Sequence, residues 1–167
     1  MAPDTLKISI RKAFADVRYP AHCGINAACA RDAWISDRRV LKRLTRKTDY
    51  RGPWWQVPEE HLANSLGFSY LDPKGLEFYL PALITLAIDK PSYGVLKILA
   101  WELNPESFED EDDVDLYGYF TWRLSKIEGE KRRICQAFLH HLHEAIAPFD
   151  LEDALSVERA LNHHYWR

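Results

Sequence analysis

Through much of this 167-residue chain the apolar side chains recur three and four residues apart, a spacing that leaves little but helices to build with. Leu6, Ile10, Ala13, Phe14 and Val17 form one such stripe; Val95, Leu96, Leu99 and Leu103 form another, and Ile134, Cys135, Phe138, Leu139 and Leu142 a third. Tyr19-Pro20, Gly52-Pro53, Asp89-Lys90-Pro91, Asn104-Pro105 and Pro148 interrupt the pattern, because proline lacks the N–H that a helix interior needs. The expected architecture is therefore mainly α, a single-domain helical bundle spanning 1–167, with residues 146–167 as a C-terminal helical extension that covers it.

Local signals divide the bundle. The spacing predicts a first helix over 4–17 behind an Asp4/Thr5 cap, and a short Ala-rich helix within 25–34 that buries Ile25, Cys29 and Trp34. A further helix runs from a Ser36 cap through Lys47. Between 58 and 67, Pro58 stands at a first helical position, Glu59 and Glu60 in a first turn, Leu62 and Leu66 on one face, and Gly67 just past the end. Apolar segments 81–88 and 92–103 read as buried helices, and 116–124, 128–147 and 151–165 as amphipathic ones.

Residues 68–80 admit two readings. Asp72-Pro73-Lys74-Gly75 suits a turn joining two aromatic strands into a short β-hairpin; equally, Asp72 caps and Pro73 opens a helix that breaks near Pro81. The hairpin is the preferred expectation. Aromatic residues make up 13% of the chain and its one Met is the first residue, so a core here is built from side chains of defined shape.

Composition narrows the function classes. At this length about 70% of the unfolded surface disappears on folding, so neither metal nor disulfide is required for stability. A net charge of −3 argues against coating DNA or membranes through bulk charge. The longest apolar stretch, Leu80 to Ile88, falls far short of the roughly 20 residues of a membrane span. An acid at position 4 and the lack of an apolar run behind it speak against an export signal. Three cysteines, Cys23, Cys29 and Cys135, make an odd set with no Cys-x-x-Cys spacing, so the expectation is a reducing cytoplasm, no cofactor and no membrane partner.

Three segments carry a resemblance. Trp54-Trp55-Gln56-Val57-Pro58, Leu66-Gly67-Phe68-Ser69-Tyr70-Leu71-Asp72-Pro73 and Phe78-Tyr79-Leu80-Pro81-Ala82-Leu83 are similar to the signature of an uncharacterised bacterial domain-of-unknown-function family, in which a Trp precedes an aromatic "FL-x-P" element and then "FYLPAYL". Leu103-Asn104-Pro105 and Ile134-Cys135-Gln136-Ala137-Phe138-Leu139 resemble its C-terminal half. The likeness touches most of residues 6–146, while 21–50 and 147–167 look particular to this chain. It implies no catalytic residues, and its aromatic and aliphatic make-up is that of a packing signature.

The histidines invite a metal. His140, Glu144, His163 and His164 are the candidate ligands of a small metal-dependent hydrolase, but His140 and Glu144 lie opposite the apolar face of their helix, and His141 and His143 stand about 160° apart. Solvated helix-face histidines are the plainer reading. His22-Cys23 adjacency does not place a base against the thiol, and a buried structural thiol is expected instead. No nucleophile elbow or glycine-rich phosphate loop occurs, so catalytic residues are expected to be absent.

Charge is laid out unevenly. Arg38, Lys42 and Arg46 form one row, Arg39, Arg43 and Lys47 a second beside it, with Val40, Leu41 and Leu44 opposite. Eight bases against Asp32, Asp37 and Asp49 leave +5 over residues 31–51. From Glu102 to Asp115 stand eight acids and no base, among them Glu106, Glu109, Asp110, Glu111, Asp112, Asp113 and Asp115. The two faces serve solubility, or the acidic loop folds over the basic helix, or one of them meets a partner. The expected function is a non-enzymatic, cytoplasmic bacterial protein-interaction module, immunity-like or regulatory, working through opposed acidic and basic surfaces. Nucleic-acid binding by the basic helix 38–47, with Trp34, Tyr50, Trp54 and Trp55 as stacking surfaces, is the alternative.

Overall fold

The computed structural model describes residues 1–20, 24–62, 65–108 and 115–167, and among these the regular structure is helical with no strand. In chain order the helices are α1 (Pro3–Ala13), α2 (Ile25–Asp32), α3 (Arg38–Lys47), α4 (Glu59–Leu62), α5 (Ser65–Phe68), α6 (Pro73–Asp89), α7 (Tyr93–Glu102), α8 (Leu116–Arg123), α9 (Glu130–Ile146) and α10 (Leu151–Asn162). Two 3₁₀ turns, Trp54–Gln56 and Pro105–Phe108, punctuate them.

The expected hairpin at 68–80 is absent, and α6 takes its place. Asp72 accepts the Gly75 N–H at 2.8 Å through its side chain and the Leu76 N–H at 2.8 Å through its carbonyl, while Pro73, with no N–H to waste, opens the helix. Seven consecutive residues, Phe78 to Ile84, are buried, which covers the helix all round. A two-stranded hairpin would leave alternate members of that run in water. Pro81 does not break the helix as expected: it removes one ladder bond, but its surroundings are fully packed, and Thr85 Oγ1 donates to the Pro81 carbonyl at 2.7 Å.

α6 is the axis of the molecule, with α1, α7, α8 and the Trp54–Gln56 turn packed around it. α9 lies against α1 and α7, and α10 runs along α9. One apolar cluster extends from Leu6 to Trp166 through these elements. Two indoles stitch it to helix ends: Trp54 Nε1 donates to the Phe14 carbonyl at 2.8 Å, just past α1, and Trp166 Nε1 to the Leu103 carbonyl at 2.9 Å, just past α7. The Trp166 bond satisfies a carbonyl that the C-terminus of α7 leaves without a backbone partner, and the Trp54 bond gives the Phe14 carbonyl a second donor beside the Val17 N–H at 3.2 Å.

Several local expectations are corrected. α1 has Ala2 as its N-cap with no side-chain cap, since Pro3 opens it, and Asp4 pairs with Lys7 at 3.1 Å instead. Asp37, not Ser36, caps α3, accepting the Arg39 N–H at 2.7 Å; a carboxylate suits the positive helix end better than a hydroxyl. Residues 58–67 hold two short helices, α4 and α5, with Gly67 inside the second. Gly67 is there for closeness: a Cβ on it would stand 2.6 Å from Ile25 Cγ1 of α2. The placing of Leu66 on the Leu62 face lies outside the described side chains.

Candidate functional site

α2 and α3 form a hairpin that rests on α5 through α2. Arg38, Arg39, Lys42, Arg43, Arg46 and Lys47 are all exposed, as the two-row pattern requires, while Val40, Leu41 and Leu44 are only half-buried. None of the six cations forms an ion pair or a side-chain hydrogen bond with a described residue. Two of the three acids in this stretch are spent on structure: Asp37 caps α3, and the buried Asp49 accepts both the backbone and the side-chain N–H of Asn26 at the start of α2, at 2.9 and 2.8 Å.

Trp34, expected in the core, is 94% exposed. The Ile35 N–H donates to the Ala30 carbonyl and the Trp34 N–H to the Arg31 carbonyl, both at 2.9 Å, the bonding of a Schellman turn that ends α2. That turn needs a left-handed residue at the position Trp34 occupies, and Trp34 has φ 60°. Glycine is the usual occupant, so a bulky ring here stores backbone strain and presents its indole to solvent beside α3. The other expected stacking residues divide: Trp54 is buried, Tyr50 is half-buried against His61, and Trp55 lies under the Arg11 guanidinium, 3.8 Å from its ring centroid.

Three of the eight acids between 102 and 115 are engaged within the protein. Glu102 is buried: its Oε2 accepts Arg123 Nη2 at 2.6 Å and its Oε1 the Ser69 hydroxyl at 2.7 Å, while Arg123 also donates to the Phe68 carbonyl. This group clamps α5, α7 and α8 and is no part of a surface. Glu106 meets Arg159 at 2.9 Å, and Asp115 caps α8 through the Gly118 N–H. Glu109, Asp110, Glu111, Asp112 and Asp113 lie outside the described residues, as do His22 and Cys23.

The histidines do not assemble. His140 and Glu144 are exposed on α9, whereas His163 and His164 lie past the end of α10, where His164 Nε2 sits 3.0 Å from the Tyr117 hydroxyl. Among the described residues no group of three His, Cys, Asp or Glu side chains is placed to hold a metal ion. Burial pushes the Cys135 thiol up to about 12, so it stays protonated at neutral pH. No helix among the described residues is long and apolar enough to cross a membrane.

Fold and surface together define a mainly helical protein carrying a cationic hairpin with an exposed tryptophan at its bend. The chain belongs to the family of unknown function DUF6714, which it matches over residues 2–167. That span takes in residues 21–50 and 147–167, so the basic hairpin and the C-terminal helix lie within the family's extent, which corrects the expectation that they are particular to this chain. No curated protein and no solved structure matches it. The exposure of Trp34 had no sequence signal beyond the surrounding charge, and neither did the pairing of Trp55 with Arg11.

Proposed function

We propose that this protein is a non-catalytic interaction module that receives an acidic protein surface on α3, with Trp34 as the apolar anchor. The observation that carries the reading is the set of six exposed α3 cations with no carboxylate among the described residues to neutralise them. Like charges four apart on a helix repel by a few tenths of a kcal/mol per pair, so an anionic partner relieves a cost the free protein carries. Trp and Arg are also the residues that most often dominate the energy of an interface. In this reading the protein acts in a bacterial cytoplasm as an immunity-like or regulatory binder, and the acidic run at 109–113 is a second, oppositely charged contact.

Affinity capture with the wild-type chain and with Arg39→Glu/Arg43→Glu tests it. A partner with an acidic face is expected to be retained by the first at low salt, released as salt rises, and lost from the second. Identical recoveries from both overturn the reading. The cations flanking Trp34 also suit a single-stranded nucleic acid, and titration of a labelled oligonucleotide decides between them. If affinity falls steeply with salt and Trp34 fluorescence is quenched, nucleic acid replaces the protein partner.

A further inference from the structure

A groove formed without any α3 residue runs between α1 and the Trp54–Gln56 turn. It offers about 440 Å³, lined by Lys7, Ile8, Arg11 and Lys12 of α1, by Trp54 and Trp55, and by Thr85 of α6. This lies within the roughly 300–1,000 Å³ of small-molecule sites. Lys7 and Arg11, and Ile8 and Lys12, are one helical turn apart, so three cations and an apolar side chain flank the opening, away from buried Leu6 and Ile10.

Three features define what fits. The first is the stacked pair: the Arg11 guanidinium lies 3.8 Å from the Trp55 ring centroid. Stacking occupies the face of a guanidinium and leaves its N–H edge in plane, where it can meet an anion with two parallel bonds. No described residue supplies an acceptor for that edge, and Lys12 likewise has no carboxylate partner. The second is apolar lining: Ile8, 71% exposed, and the indole of Trp55 both face the groove. The third is the charge at the Lys7 end, where Lys7 is held by Asp89 at 2.7 Å and by Asp4 at 3.1 Å, which neutralises it and sets two acids there. An extended polyanion would run into those acids, whereas a ligand with one anionic head would not.

We propose that this groove binds a small amphipathic anion, a carboxylate, sulfonate or phosphate on an apolar or aromatic body. The head lies on the Arg11 edge and Lys12, and the body covers Ile8 and Trp55. The groove and the α3 surface are independent sites, and either can stand without the other.

The six indole N–H resonances of the full chain, labelled with nitrogen-15 and assigned by single Trp→Phe variants, read the site directly. Titrated with 8-anilinonaphthalene-1-sulfonate or with decanoate, the Trp55 resonance is expected to shift saturably, with a Kd on the order of 10–100 µM. Neutral decanol is expected to leave it unsaturated over the same range. Arg11→Gln is expected to weaken binding about tenfold and Lys12→Gln severalfold, with Ile8→Glu abolishing it. All three positions are exposed, so these variants are expected to fold, and an unchanged melting temperature verifies that they do. Saturation at Trp34 with Trp55 silent would assign the anion to the basic hairpin and overturn the proposal. So would equal affinity in Arg11→Gln, equal response to decanol, or no saturable shift.

Discussion

α6 and α3 are helices of the same chain under opposite physical regimes. α6 is buried on all sides through nearly two turns and keeps its course across an internal proline, because packing there outweighs one lost hydrogen bond. α3 has ten residues, an apolar side only half-buried, and six mutually repelling cations on the other. Stability belongs to the region around α6, and the capacity to meet something else belongs to the hairpin. Perturbations of the two should therefore give different signatures.

The largest expected effect comes from the buried Glu102–Arg123 pair. Glu102→Leu leaves the Arg123 guanidinium, 1% exposed, without its counter-ion, at an expected loss of about 3–5 kcal/mol. Thermal unfolding should show one transition lowered by roughly 6–20 °C. Arg39→Glu/Arg43→Glu, by contrast, should leave the midpoint within about 1–2 °C, because exposed substitutions stay within about 0.5 kcal/mol. A large stability loss in that double variant would break the contrast between the regions.

Gly67→Ala probes the joint between them. Its new Cβ meets Ile25 Cγ1 at 2.6 Å and the Ile25 carbonyl at 3.0 Å, so α2 must move off α5, at a cost of about 1–3 kcal/mol. Hydrogen exchange should quicken across 25–47 and stay unchanged across 134–146. Uniform acceleration of both segments would mean that hairpin and core open together.

Trp34→Gly should act in the opposite direction. Glycine takes the left-handed backbone without penalty, and the exposed indole contributes no burial, so the unfolding free energy from urea denaturation should rise by about 0.5–1 kcal/mol while partner binding falls. A variant both less stable and unable to bind would make Trp34 structural after all.

The smallest effect is electrostatic. The backbone N–H of Asp153, then the Tyr93 hydroxyl, hold the Asp150 carboxyl below its usual range at the start of α10. A depressed native value means the contribution is complete above about pH 4, where the unfolded carboxyl titrates, and is lost as pH falls through the native value. Asp150→Asn keeps a cap but not the titration, so the urea midpoint should change less between pH 5 and pH 3 than in the wild type.

Much of the architecture could be read from the chain. The helices at 93–102, 116–123, 130–146 and 151–162 fall where apolar spacing places them, because that period reports a local geometry. The segment 68–80 is not legible locally, because Asp72-Pro73-Lys74-Gly75 satisfies a turn and a helix start equally well, and only burial on every side of Phe78–Ile84 separates them. Of the candidate surface, the two rows of cations were legible. Trp34 was not, since hydrophobicity placed it inside while the turn ending α2 placed it outside.

The sequence by itself determined the helical class, the cationic face of α3 and the absence of a long apolar span, all properties of residues near one another along the chain. The tertiary structure decided which aromatics are architecture and which are exposed: Trp54 and Trp166 tied to helix ends, Trp34 left in solvent, Trp55 stacked under Arg11. It also withdrew Glu102 from the acidic face by pairing it with Arg123. Trp34 is turned outward by the local bonding that ends α2, but for Trp54, Trp166, Trp55 and Glu102 the physical reason is a common one. A side chain's environment is set by neighbours distant in sequence, such as Phe14 for Trp54 and Leu103 for Trp166, and no local pattern encodes them.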